Sequence, residues 1–97
     1  MELQFSRGAE NDLNRLFDFL IEAQSSRKTA AKALRAIKEG AYQLVAHPEL
    51  GISLDDDTGR REWRIPFGKN AYILRYIPGY DQQIIRVLRV YHSRENR

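Results

Sequence analysis

Polar and apolar residues alternate from Glu2 to Ser6, with Leu3 and Phe5 on one side. This predicts a short first strand ending at a serine suited to cap a helix. Ala9, Leu13, Leu16, Phe17, Leu20 and Ile21 then recur at steps of three and four, with Glu10, Asp12, Asn14, Arg15 and Asp18 between them. That period predicts an amphipathic helix of roughly 16 to 18 residues. A polar break over Gln24 to Arg27 precedes a second helical run through Ala30, Ala33, Leu34, Ile37, Ala41, Leu44 and Val45, which should end near Ala46. The small residues Ala30, Ala33 and Ala41 permit close approach of the first helix, so the two should form an αα-hairpin.

Pro48 and Gly51 stop the second helix, and Asp55 to Gly59 reads as a solvated acidic loop. Beyond it the period changes to two. Glu62 to Phe67 puts Trp63, Ile65 and Phe67 on one side and Glu62 and Arg64 on the other, with Pro66 marking an edge strand or a bulge. Ala71 to Ile77 and Gln83 to Tyr91 supply two more strands, separated by the turn at Pro78 to Asp81. The predicted order is βααβββ, an α+β fold with both helices on one face of a mainly antiparallel sheet. With 97 residues, 42% of them hydrophobic, one domain spanning residues 1–97 is expected.

Charge alters this picture. Residues 1–59 hold seven basic and ten acidic side chains, a net of −3, whereas residues 60–97 hold nine basic and three acidic, a net of +6. So uneven a field favours an acidic partner for the C-terminal sheet, while a merely solvated basic face is the alternative. Arg75, Arg86 and Arg89 interrupt apolar strand runs, and simple alternation sends Arg86 and Arg89 to opposite faces. The face away from the helices is then expected to display Arg64, Arg75 and one of Arg86 or Arg89 beside Tyr72, Tyr76 or Tyr91. Guanidinium groups there would pair with phosphates or carboxylates, or would simply blunt an open sheet face.

Other chemistries are less well served. The absence of cysteine excludes disulfides and thiolate catalysis, and His47 and His92 stand too far apart in sequence to suggest a metal site, so neither metal nor cofactor is expected. His47 beside Pro48 reads as a helix C-terminal residue, and Asp55 to Asp57 as loop rather than a cation site. No apolar run is long enough for a membrane span, and the opening MELQFSRG lacks a signal-peptide layout, so a cytoplasmic location is expected. Tyr91 and His92, beside the arginine-rich tail Ser93 to Arg97, could supply an acid or base with cations for phosphoryl chemistry.

Taken together, FSRGAENDLNRLFDFL, HPELG, RREWRIPFGKNAYILRYI and IIRVLRVYHSRENR resemble the RelE/ParE superfamily of bacterial toxins from toxin–antitoxin pairs. The resemblance implies a growth inhibitor neutralised by a cognate antitoxin, whose C-terminal segment wraps the toxin in a hetero-oligomer. RelE-like members cut mRNA on the ribosome and carry a strand resembling Y-R-L-V-Y whose arginine contacts the reacting phosphate. This chain reads Tyr72, Ile73, Leu74, Arg75, Tyr76, and has Arg64 and Pro66 where a basic pair is expected. The ending ILRVYHSREN is similar to the ParE branch, whose members poison DNA gyrase. On the ParE reading Arg86, Arg89, Tyr91, His92 and Arg94 are candidates for the surface facing gyrase or its DNA, with no catalytic residue. On the RelE alternative, Arg64 and Arg75 are the cations and Tyr91 or His92 the acid or base. A non-toxic interaction module is a third possibility.

Overall fold

The computed structural model describes residues 1–24 and 26–97. Strand β1 (Glu2–Phe5) leads through Ser6 into helix α1 (Arg7–Gln24). The Ser6 hydroxyl accepts the Ala9 N–H at 3.1 Å, as an N-cap should. Helix α2 (Arg27–Ala46) starts at Ser26, whose Oγ accepts the Thr29 N–H at 3.2 Å. The predicted polar break between the helices includes Ser25, which lies outside the described residues. Strands β2 (Ile52–Ser53), β3 (Arg61–Phe67), β4 (Asn70–Gly79) and β5 (Ile84–His92) follow. The two-residue β2 adds to the predicted order; so short an element carries no periodicity of its own.

The five strands form one sheet in the order β1-β5-β4-β3-β2, with β1 parallel to β5 and every other pair antiparallel. Both helices lie on one face. Leu16, Ala33, Ile37, Ala41 and Leu44 pack there against Ile65, Tyr72, Leu74, Tyr76, Ile85, Val87 and Val90. Close contact between α2 and β3 depends on Gly40, where a Cβ would sit 2.4 Å from Ile65 Cδ1. The adjoining Trp63 indole donates to the Gly40 carbonyl at 3.0 Å. The turn after α2 is pinned by the Tyr76 hydroxyl, which accepts the Gly51 N–H at 2.9 Å and donates to the Pro48 carbonyl at 2.7 Å.

One irregularity decides where the arginines point. Arg75 pairs with Arg89 but Tyr76 pairs with Val87, so Leu88 is an extra residue in β5, a β-bulge. Beyond Val87, strand β1 has ended and the β5 edge would be bare. The start of α1 and the residues after β5 cover it instead. The Leu88 carbonyl accepts the Ser6 hydroxyl at 3.0 Å, the Val90 N–H donates to Asp12 Oδ2 at 2.8 Å, and the His92 N–H donates to Glu95 Oε1 at 2.7 Å. An exposed edge is an aggregation template, and these side chains occupy it. On the opposite side of the sheet, Pro66 lies where β3 has no β2 partner, so its missing N–H costs no ladder bond, in accord with the predicted edge position. Among the described residues, no helix is long and apolar enough to cross a membrane.

Candidate functional site

The face of the sheet without helices is built by alternation on each strand. Strand β3 contributes Glu62 and Arg64, β4 contributes Ile73, Arg75 and Ile77, and β5 contributes Arg86, Arg89 and Tyr91. Sequence alternation put Arg86 and Arg89 on opposite faces; the bulge at Leu88 shifts the phase by one residue and brings them to the same one. Of the three tyrosines considered for this face, Tyr91 is on it, whereas Tyr72 and Tyr76 point into the core.

At the centre of the face two guanidinium groups share one ring. Arg75 Cζ lies 5.4 Å and Arg89 Cζ 5.1 Å from the Tyr91 centroid, within cation–π range. Each is also held by a carboxylate from the flank. Arg75 donates through Nε and Nη2 to Glu62 Oε2 at 3.1 and 2.8 Å, and Arg89 through Nε and Nη2 to Asp12 Oδ2 and Oδ1 at 2.8 and 3.2 Å. Beneath them Tyr91 is 9% exposed. Asp12 is 4% exposed, and also accepts from Arg15 Nη2 at 3.3 Å. Burial alone would push its carboxyl up, but the bonds from Arg89, the Val90 N–H and Arg15 outweigh that and hold it below the usual carboxylate range. Glu62 behaves alike: burial raises it, and Arg75 with Arg97 brings it below the ordinary value. Arg97 reaches Glu62 Oε1 at 3.4 Å, so the tail is anchored to this face.

Arg64 and Arg86 differ from these. Both are exposed, and among the described residues neither has a carboxylate partner. Two arginines are thus locked over a tyrosine and two flank them with their charge uncompensated.

The other predicted candidates lie elsewhere. His92 follows Tyr91 and so turns to the helix side, where it pairs in register with Tyr72 and meets that ring edge-on at 5.5 Å. Its Nδ1 accepts the Arg94 N–H at 3.1 Å. His92 and Arg94 line a groove of about 750 Å³ with Leu16, Phe19, Leu20 and Tyr72, rimmed by an ion pair between Arg15 and Glu95. Phe19 is 63% exposed there. Of the RNase set, Arg64, Arg75 and Tyr91 therefore share a face and His92 is separated from them by the sheet. The carboxylates Asp12 and Glu62, which sequence reasoning passed over, are what fix the central arginines. Asp12 did carry a signal, since it shares a helix face with the buried Ala9 and Leu16, three residues after one and four before the other.

The acidic loop organises itself. Asp56 accepts from the Thr58 hydroxyl, from the Thr58 N–H at 3.1 Å and from Arg60 Nη2 at 2.8 Å, and its carboxyl is lowered to about 2, chiefly by the Thr58 hydroxyl. Among the described residues no group of three acidic, histidine or cysteine side chains is arranged to hold a metal ion.

The fold and the arginine face can be set beside known proteins. Among solved structures, one titled the chromosomal ParDE TA system from P. aeruginosa matches with a TM-score of 0.71 at 24% identity, covering 96% of each chain, a likeness of fold. The sequence is 33% identical over 90 residues to the Toxin RelE1 of Caulobacter vibrioides, covering 92% of this chain and 89% of that protein. Residues 3–97 match the family described as the ParE toxin of the type II toxin-antitoxin system parDE, and the chain belongs to that family of toxins.

Proposed function

We propose that this toxin inhibits DNA gyrase by binding, trapping the complex of gyrase with cleaved DNA, and that the open arginine face is its target-facing surface. The carrying observation is the placement of Tyr91 and His92. An RNase of the kind weighed above needs an acid or base within reach of the same phosphate as its cations. Here His92 is on the helix side, Tyr91 is buried beneath two guanidinium groups, and Arg75 spends its Nε and Nη2 donors on Glu62. Ile73, at the centre of the face between Arg64 and Tyr91 in register, offers no charge to a phosphorane. Such a surface is suited to docking rather than to bond chemistry.

Arg64, Arg86 and Arg89 are assigned to the target surface, with Arg75 and Tyr91 supporting them; His92 and Arg94 stand outside it. As a type II toxin the chain has a cognate antitoxin as partner. Phe19 and Tyr42, two of the large apolar residues most exposed to solvent, lie on the helices away from the arginine face and suit a wrapping antitoxin segment; Ile52, in register with Glu62, is at the β2 margin of that face. A gyrase target implies action in the cytoplasm. The test is to incubate the purified protein with gyrase, ATP and supercoiled plasmid, and in parallel with translating ribosomes. Gyrase-dependent cleaved DNA supports this reading, whereas mRNA cut in the ribosomal A site with gyrase unaffected overturns it.

A further inference from the structure

We infer that the open sheet face binds the phosphate backbone of duplex DNA directly, without gyrase and without regard to base sequence. This deepens the gyrase proposal by assigning the arginines to the DNA of the complex rather than to the protein.

Charge is the first ground. Arg64, Arg75, Arg86, Arg89 and Arg97 converge on one face against Glu62, with Asp12 and Glu2 at the rim, so the face is cationic after every ion pair is counted. Geometry is the second. Arg64 and Arg86 are in register with Ile73 and Ile77, four residues apart on β4, and lie one strand to either side of it. At about 3.3 Å per residue and 4.8 Å per strand their backbones are roughly 16 Å apart. A duplex of that length presents about nine phosphates, so both unpaired guanidinium groups find one. Between them Arg89, its side chain 47% exposed, uses Nε and Nη2 on Asp12 and keeps Nη1 for a third contact.

What the face lacks identifies the ligand further. Its central ring, Tyr91, is covered by guanidinium groups; of the exposed large apolar residues, Phe19, Tyr42, Leu50 and Tyr80 are on other surfaces, and Ile52, in register with Glu62, stands alone at the β2 margin of this face. Single strands are held by stacking bases on exposed rings, and peptides by apolar pockets; this face offers neither. It offers a rigid array of cations, which reads a backbone.

The experiment is a fluorescence-anisotropy titration of the full chain into two labelled 20-base-pair duplexes of unrelated sequence, with the matching single strand and an oligoglutamate peptide as comparators. Both duplexes should bind alike and more tightly than the comparators, and three phosphate contacts should weaken affinity about 40-fold between 50 and 200 mM salt. Arg64→Gln and Arg86→Gln should each reduce the slope of log affinity against log salt by about 0.9, while Arg64→Lys keeps it. No saturable duplex binding at 50 mM salt, slopes unchanged in both glutamine variants, or preference for the peptide would overturn the inference. Gyrase poisoning that survives in a double variant unable to bind duplex would uphold duplex binding by this face but sink the assignment of its arginines to the DNA of the complex, leaving the gyrase reading intact. Duplex binding without any gyrase poisoning would uphold it and remove that reading.

Discussion

Arg75 and Tyr76 are neighbours on β4 and illustrate what divides the two faces of this sheet. Tyr76 is fully buried under the helices, and its hydroxyl bridges the Pro48 carbonyl and the Gly51 N–H. Arg75 lies on the other side, stacked on Tyr91 and clasped by Glu62. The helix face is closed by apolar packing, the open face by carboxylates at its margins. Stability should therefore reside on the first and recognition on the second, and substitutions should separate them.

Leu74→Ala removes a completely buried side chain from the helix face and should lower unfolding free energy by about 2–5 kcal/mol, read by urea denaturation, a deletion that also removes activity only by unfolding the protein. Asp12→Ala comes next, because it orphans the buried Val90 N–H and frees Arg89; a loss of about 1–3 kcal/mol is expected. Its pH signature sharpens the assignment. The folded Asp12 carboxyl titrates below its unfolded value, so its contribution is complete above about pH 4 and disappears as pH falls through the folded value. Asp12→Asn should flatten the acid limb of a melting-temperature profile, and an unchanged limb would contradict this role.

Tyr76→Phe keeps the packing but strands the Gly51 N–H, at a cost of about 1–2 kcal/mol in the same denaturation assay. Arg64→Gln on the open face should change stability by less than about 0.5 kcal/mol. A drop comparable to that of Tyr76→Phe would show that the open face is also structural and erase the contrast.

Much of this architecture is legible in the sequence. The 3.6 period of α1 and α2 and the alternation in β3 reflect burial on one side only, and the structure follows both. The serine before α1 is read from its capping chemistry. What escapes is non-local. The Leu88 bulge leaves no mark in a run of isoleucine, valine, leucine and arginine, yet it moves Arg89 across the sheet. The position of Asp12 on the helix face of Ala9 and Leu16 marks it as unusual, but its partner is hidden until the length of β1 is known, because only then does β5 have an edge that needs a carboxylate. Tyr91 and His92 look like a joined pair along the chain, and alternation places them back to back.

The tail has the same lesson. Ser93 donates its N–H to the Ala71 carbonyl at 2.8 Å and its Oγ accepts the Ala71 N–H at 3.1 Å, tying the tail to β4 just past the end of the ladder, and Glu95 closes the edge at His92. Removing residues 93–97 thus strips structural bonds as well as charge, and point substitutions on the open face are the cleaner probe.

The most direct test of the central claim compares gyrase-dependent plasmid cleavage by the wild-type chain and by the double variant Arg64→Gln, Arg86→Gln. Equal melting temperatures and a loss of potency of roughly a hundredfold or more are expected, as two hydrogen bonds to charged groups at about 1.5–3 kcal/mol each would give. A double variant that melts with the wild type and poisons gyrase equally well would contradict it.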